Sequence, residues 1–126
     1  MSEIPSDPFI QIWFTALFKR RLNGLGKRYC NIKIDIQPLL SQLSTGELPG
    51  DQIVGTDYIV YKVRARNSNT KSGKSGGYRL IYQVEKPISI VLHLIYSKSD
   101  QVTITAKQIK EIIEDYQRER SDDLDS

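Results

Sequence analysis

Lys62, Arg64 and Arg66 occupy alternate positions in the strand-forming run K-V-R-A-R. Lys71 and Lys74 follow in a glycine-rich loop, and Arg79, Lys86 and Lys98 come after it. Residues 62 to 98 hold eight basic residues and one acid, Glu85, a balance of +7 in a chain whose net charge is +3. Tyr78, Tyr82 and Tyr96 lie in the same stretch. Cations on alternate strand positions, with tyrosines nearby, can hold a phosphate backbone and stack bases. An edge strand also carries basic residues, to block aggregation. Arginine is the less expected choice for that purpose and the better one for bidentate contact with phosphate. With Arg79 on the next strand, four like charges share one sheet face. Their mutual repulsion opposes folding and is more easily explained by function.

Other chemistry is poorly supported. G-K-S at Gly73, Lys74 and Ser75 resembles the end of a phosphate-binding loop, but the required earlier glycine is Ser68 and a strand follows where a helix is needed. His93, the single histidine, sits in the apolar run V-L-H-L-I and reads as a core residue with one satisfied hydrogen bond. No nucleophile triad, carboxylate dyad or metal-ligand spacing is evident. Tyr96 is the best placed of the tyrosines. It is two residues before Lys98 and so shares its face, and a phenol beside an amine can take part in proton transfer.

These residues must be positioned by a scaffold. F-I-Q-I-W-F-T, residues 9–15, alternates like a strand. Leu17, Phe18, Arg21, Leu22 and Leu25 fit an amphipathic helix, weakened near its end by Gly24 and Gly26. Ile36, Leu39, Leu40 and Leu43 fit a second helix, with Asp35 as its expected cap and Pro38 in its first turn. S-T-G-E-L-P-G opens a loop reaching about Thr56. Three strands are predicted over Ile59–Arg66, Tyr78–Glu85 and Ile88–Tyr96, the last apolar on both faces and therefore central. Thr105 is the expected cap of a final helix with an apolar stripe of Ile109, Ile112, Ile113 and Tyr116. The order is β-α-α-β-β-β-α, and the basic strand would line the face that the helices leave open.

Composition sets outer bounds. The 126 residues, 39% hydrophobic and 26% charged, suit one soluble domain spanning 1–126. Residues 1–8 and the acid-rich 119–126 are expected to be disordered ends. No apolar run approaches the ~18 residues of a membrane helix, and no secretory signal is visible. The lone Cys30 excludes an internal disulfide and reads as a buried packing residue, which favours a reducing cytoplasm.

Four segments together carry a family resemblance: K-V-R-A-R, G-K-S-G-G-Y-R-L-I-Y, L-I-Y-S-K-S-D and T-I-T-A-K-Q-I-K-E-I-I. The combination resembles the RelE/HigB toxins of bacterial type II toxin–antitoxin systems, closest to the HigB-like branch. The match covers roughly residues 57–115, and the earlier part agrees only in its order of elements. Three features depart from the family: the extension before Phe9, the acidic tail, and the mid-strand place of His93. The resemblance implies a compact RelE-like α+β fold. Its sheet would be four-stranded and antiparallel-dominated, with two N-terminal helices on one face and a C-terminal helix.

The resemblance also implies a ribosome-dependent mRNA endoribonuclease that needs no metal, cofactor or nucleotide. Its expected partners are mRNA in the ribosomal A site and a cognate antitoxin, with no membrane. The implied catalytic set is Arg79 for phosphate stabilisation, Arg64 for transition-state charge, Lys62 or Lys98 as base, and Tyr96 as proton donor or base. Crowding by other cations would favour the neutral lysine that a base requires. Arg66, Lys71, Lys74 and Tyr82 would bind RNA. A gyrase-poisoning ParE-like toxin shares the fold but usually lacks this basic set. A silenced relative that only binds RNA or antitoxin is the non-enzymatic alternative.

Overall fold

The computed structural model describes residues 10–70, 76–100 and 103–125. The described elements are β1 (Gln11–Phe14), α1 (Ala16–Gly26), α2 (Ile32–Ser44), β2 (Asp51–Ile53), β3 (Val60–Ala65), β4 (Tyr78–Lys86), β5 (Ser89–Ser97) and α3 (Ala106–Asp125). They form an α+β fold with three helices and one mixed sheet of strand order β1-β5-β4-β3-β2. The pairs β2–β3, β3–β4 and β4–β5 are antiparallel, and β1 runs parallel to β5. Five strands replace the four expected, because Asp51–Ile53, read from its glycines and proline as loop, pairs with Val60–Lys62. Gly50 makes that approach feasible. Its φ is +98°, and a Cβ there would meet the Lys62 carbonyl oxygen at 2.3 Å.

Local chemistry explains the helix boundaries. The Thr15 hydroxyl accepts the Phe18 N–H at 3.0 Å, which ends β1 and starts α1. Thr105 caps α3 by accepting the Gln108 N–H at 3.1 Å, and the Gln108 side chain accepts the Thr105 N–H at 2.9 Å, a reciprocal pair. Asp35 does not cap α2, which begins at Ile32 with Asn31 before it. The Asp35 carboxylate instead accepts the N–H and hydroxyl of Ser68, at 2.9 and 3.0 Å, and so ties α2 to the turn after β3. Pro38 consequently lies inside the helix rather than in its first turn. Cys30, expected to be buried, is exposed in the α1–α2 turn, between Asn31 and Asn69. The final helix continues to Asp125, through the stretch expected to fray. Arg118 pairs with Asp115, and Arg120 reaches Glu85 at 2.8 Å.

Two apolar clusters flank the sheet. Phe18, Leu25, Ile36, Leu39 and Leu43 of α1 and α2 pack on Val63, Ala65, Leu80, Tyr82, Ile90 and Leu92. On the other face Ile109 and Ile113 of α3 pack on Val60, Ile81, Leu94 and Tyr96. Each fully buried side chain of this size stabilises the fold by roughly 1.5–3 kcal/mol. No helix among the described residues is long and apolar enough to cross a membrane.

His93 joins the two layers. Tyr82 pairs with Leu92 and Ile81 with Leu94, so His93 is an extra residue, a β-bulge in β5. Its ring is fully buried, bonded through Nε2 to Gln83 Oε1 at 2.8 Å and set edge-on to Tyr116. Burial pushes its pKa down to about 4. An unfolded chain would bind a proton there near pH 6.5, while the native state binds it only near 4. Stability from this group is therefore complete above about pH 6.5 and declines as the pH falls towards 4. Urea unfolding should show about 2 kcal/mol lost through His93 between pH 7 and pH 5, and a His93→Gln variant should lack that share of the slope. Because His93 is the only histidine, its ring signals can be followed directly by NMR. A midpoint near 6.5 in the folded protein would refute this account.

Candidate nucleic-acid interface

The two ends of the second sheet face differ. Towards Val60 and Ile81 it is covered by α3. Beyond them, among the described residues, the face carries Lys62, Arg64 and Arg79. β3 and β4 pair with Arg64 opposite Arg79, and β4 and β5 pair with Arg79 opposite Tyr96. Arg64, Arg79 and Tyr96 thus form one row across three strands. Lys62 lies two positions along β3 from Arg64, opposite Asp51 of β2. Lys98 follows β5, where its N–H donates to the Gly77 carbonyl at 2.9 Å.

This geometry makes a cleft of about 720 Å³ lined by Gly50, Asp51, Lys62, Val63, Arg64, Arg79 and Lys98. Four residues singled out as catalytic candidates therefore share one cavity. Among its described lining residues Asp51 is the single acid. Neither Lys62 nor Arg64 forms an ion pair among the described residues. Arg64 is exposed, whereas Arg79 is only 6% exposed and donates from Nη1 to the Tyr78 carbonyl at 3.3 Å. Burial, and then the Arg64 charge, push the Arg79 pKa down, while Tyr96 pulls it the other way. The guanidinium stays charged at any physiological pH. A guanidinium beside a second cation can contact an anion bidentately.

Tyr96 stands at the edge of this arrangement. It is 6% exposed, and burial pushes its phenol pKa up, with Arg79 opposing the rise. It lines a second, adjoining cleft of about 480 Å³, with Ile95 and Ser97 of β5, Arg20 and Arg21 of α1, Arg28 in the turn after it, and one acid, Asp100. Sequence reasoning missed these arginines as a group. Arg21 was read only as part of the amphipathic pattern of the first helix, Arg20 and Arg28 were given no role, and the end of β5 shows what they face.

The remaining expected residues are placed differently. Arg66 is exposed just past the end of β3, outside the cleft lining. Lys71 and Lys74 lie outside the described residues. Tyr82 cannot stack on a base. It is fully buried on the α1–α2 side of the sheet, its ring stacks on Tyr61, and its hydroxyl donates to the Pro49 carbonyl at 2.5 Å. The strand period explains this, since Tyr82 lies three residues from Arg79 and so points to the opposite face. Tyr78 is likewise buried on the α1–α2 side. Among the described residues no group of His, Cys, Asp or Glu side chains could hold a metal ion. Comparison with protein-family models finds no match, and a search of curated proteins finds none either.

Like charges directly opposite on paired strands destabilise a sheet. Replacing Arg64 by Gln should therefore raise stability slightly, by about 0.5 kcal/mol at low salt, and the gain should vanish near 1 M salt. Denaturant titration at two ionic strengths measures this. A clear loss of stability at low salt would mean that Arg64 is held by attraction instead.

Proposed function

We propose that this chain is an mRNA endoribonuclease, the toxin of a type II toxin–antitoxin system, acting on mRNA in the ribosomal A site. One observation carries the reading: Arg64, Arg79 and Tyr96 lie in one row across the sheet, with Lys62 and Lys98 beside them. That set can fill the three roles needed to cut RNA by its own 2′-hydroxyl. The 2′-oxygen attacks the adjacent phosphorus, and its proton passes to a base, for which Lys62 and Lys98 are the candidates in the cleft. Arg79 and Arg64 balance the charge that builds on the phosphoryl oxygens. The bond from phosphorus to the 5′-oxygen breaks, and the Tyr96 phenol gives that oxygen its proton. The products are a 2′,3′-cyclic phosphate and a free 5′-hydroxyl.

The raised pKa of Tyr96 supports the donor role over the base role, because the phenol keeps its proton at neutral pH. The near-complete burial of Arg79 favours a fixed contact with phosphate rather than a diffuse one. A basic cleft of this kind also suits neutralisation by an antitoxin that is acidic in its contacting segment.

Inducible expression in bacteria, with mapping of mRNA 5′ ends, tests the proposal. Wild type should arrest growth and cut translated mRNA in frame, and Arg79→Ala should abolish both. Tyr96→Phe should slow cleavage by roughly 10²- to 10⁴-fold while leaving RNA affinity unchanged. Arrest without mRNA cuts would redirect the reading to a gyrase poison. No arrest from soluble, folded protein would leave a binding module.

A further inference from the structure

Residues 16–28 carry Lys19, Arg20, Arg21, Lys27 and Arg28 and no acid. All five are exposed. Arg28 is held by Asp100, which ties the end of α1 to the turn after β5. Arg20 and Arg21 form no ion pair among the described residues. Both line the 480 Å³ cleft beside β5. That cleft exists because β1 pairs with β5 only as far as Leu92, so α1 rather than a strand flanks the stretch from His93 to Ser97. Tyr96 lines this cleft, whereas its row neighbour Arg79 lines the larger one.

Resting on the function proposed above, this division has a consequence for the substrate. A phosphate reached by both Arg79 and Tyr96 must sit at the boundary of the two clefts, so the strand that carries it must continue into both. We infer that the α1 face is a second binding site for the RNA phosphate backbone, in which Arg20 and Arg21 hold nucleotides flanking the one at Arg79. The ligand is the single strand continuing from the larger cleft. Guanidinium groups suit it, because they contact phosphate oxygens bidentately. The track then runs from Lys62 and Arg64, past Arg79 and Tyr96, to the arginines of α1.

Fluorescence anisotropy of labelled RNA tests the inference without requiring cleavage. The probes are an oligonucleotide of roughly four nucleotides, one of roughly ten, and a hairpin with the same number of phosphates as the longer strand. The Arg20→Gln/Arg21→Gln double variant should bind the longer strand at least about tenfold more weakly and the short one as wild type does. Its slope of log affinity against log salt on the longer strand should fall by about 1.4, or 0.7 for each lost phosphate contact. Exposed side chains are removed, so the thermal midpoint should stay as in wild type, which separates lost binding from lost folding. Equal loss on the short and long strands would overturn the inference, as would no loss on either. A loss confined to the hairpin would also overturn it, by assigning α1 to folded RNA. The readout is independent of catalysis. A chain that binds the longer strand through α1 yet cuts no mRNA would refute the endoribonuclease and leave this site standing.

Discussion

The extra residue at His93 governs the arrangement of everything else. In an unbroken strand Ile90, Leu92, Leu94 and Tyr96 would share one face. The bulge changes the phase. Ile90 and Leu92 enter the core beneath α1 and α2, while Leu94 and Tyr96 turn to the side of α3. Only with that shift does Tyr96 stand beside Arg79 on the face that carries the cations. The structural requirement and the chemical one meet in the same residue, and bulges recur near functional sites for this reason. Holding the shift demands a buried polar contact, His93 to Gln83, closed over by Tyr116 of α3. A neutral imidazole is what that environment tolerates, so the bulge, the burial and the depressed pKa are one fact seen three ways.

The same constraint divides the sheet into a face packed along its length and a face packed only in part. The α1–α2 face of the sheet is packed along β3, β4 and β5. The other face is packed only where α3 reaches. Paired cations at Arg64 and Arg79 are tolerable because they lie outside that second cluster, where solvent screens part of the repulsion. Arg79 is nonetheless nearly buried, so it bears both desolvation and a like charge. The fold accepts a local penalty of a kind that an apolar face would not carry, and stability supplied by the first cluster absorbs it.

Legibility from sequence followed periodicity. The amphipathic helices, the Thr105 cap and the alternating K-V-R-A-R strand were readable because side-chain pattern and backbone period coincide there. The sheet face of Lys62, Arg64 and Arg79 was readable on the same ground. β2 was not, since three residues beside glycine and proline carry no period. Asp35 was misread as a cap because its true partner, Ser68, is distant in sequence. Cys30 followed a general tendency to burial that its turn position overrides. The phase shift at His93 was invisible for a sharper reason. Every neighbour in V-L-H-L-I is apolar, so sliding the pattern by one residue changes nothing that composition can register.

Tyr82 and the α1 arginines mark the limit from opposite sides. Tyr82 lies in a strand rich in functional candidates, yet the period of two sends it inward to Pro49 and Tyr61. Arg20 and Arg21 have the composition of any solvated helix face, yet β1 ends early enough to leave them beside Tyr96. For Tyr82 the strand period decides, and for the arginines the deciding quantity is which edge of β5 is covered and by what. Charge content marks a cationic surface. The length of β1 and the single inserted residue in β5 determine which clefts Arg79 and Tyr96 line.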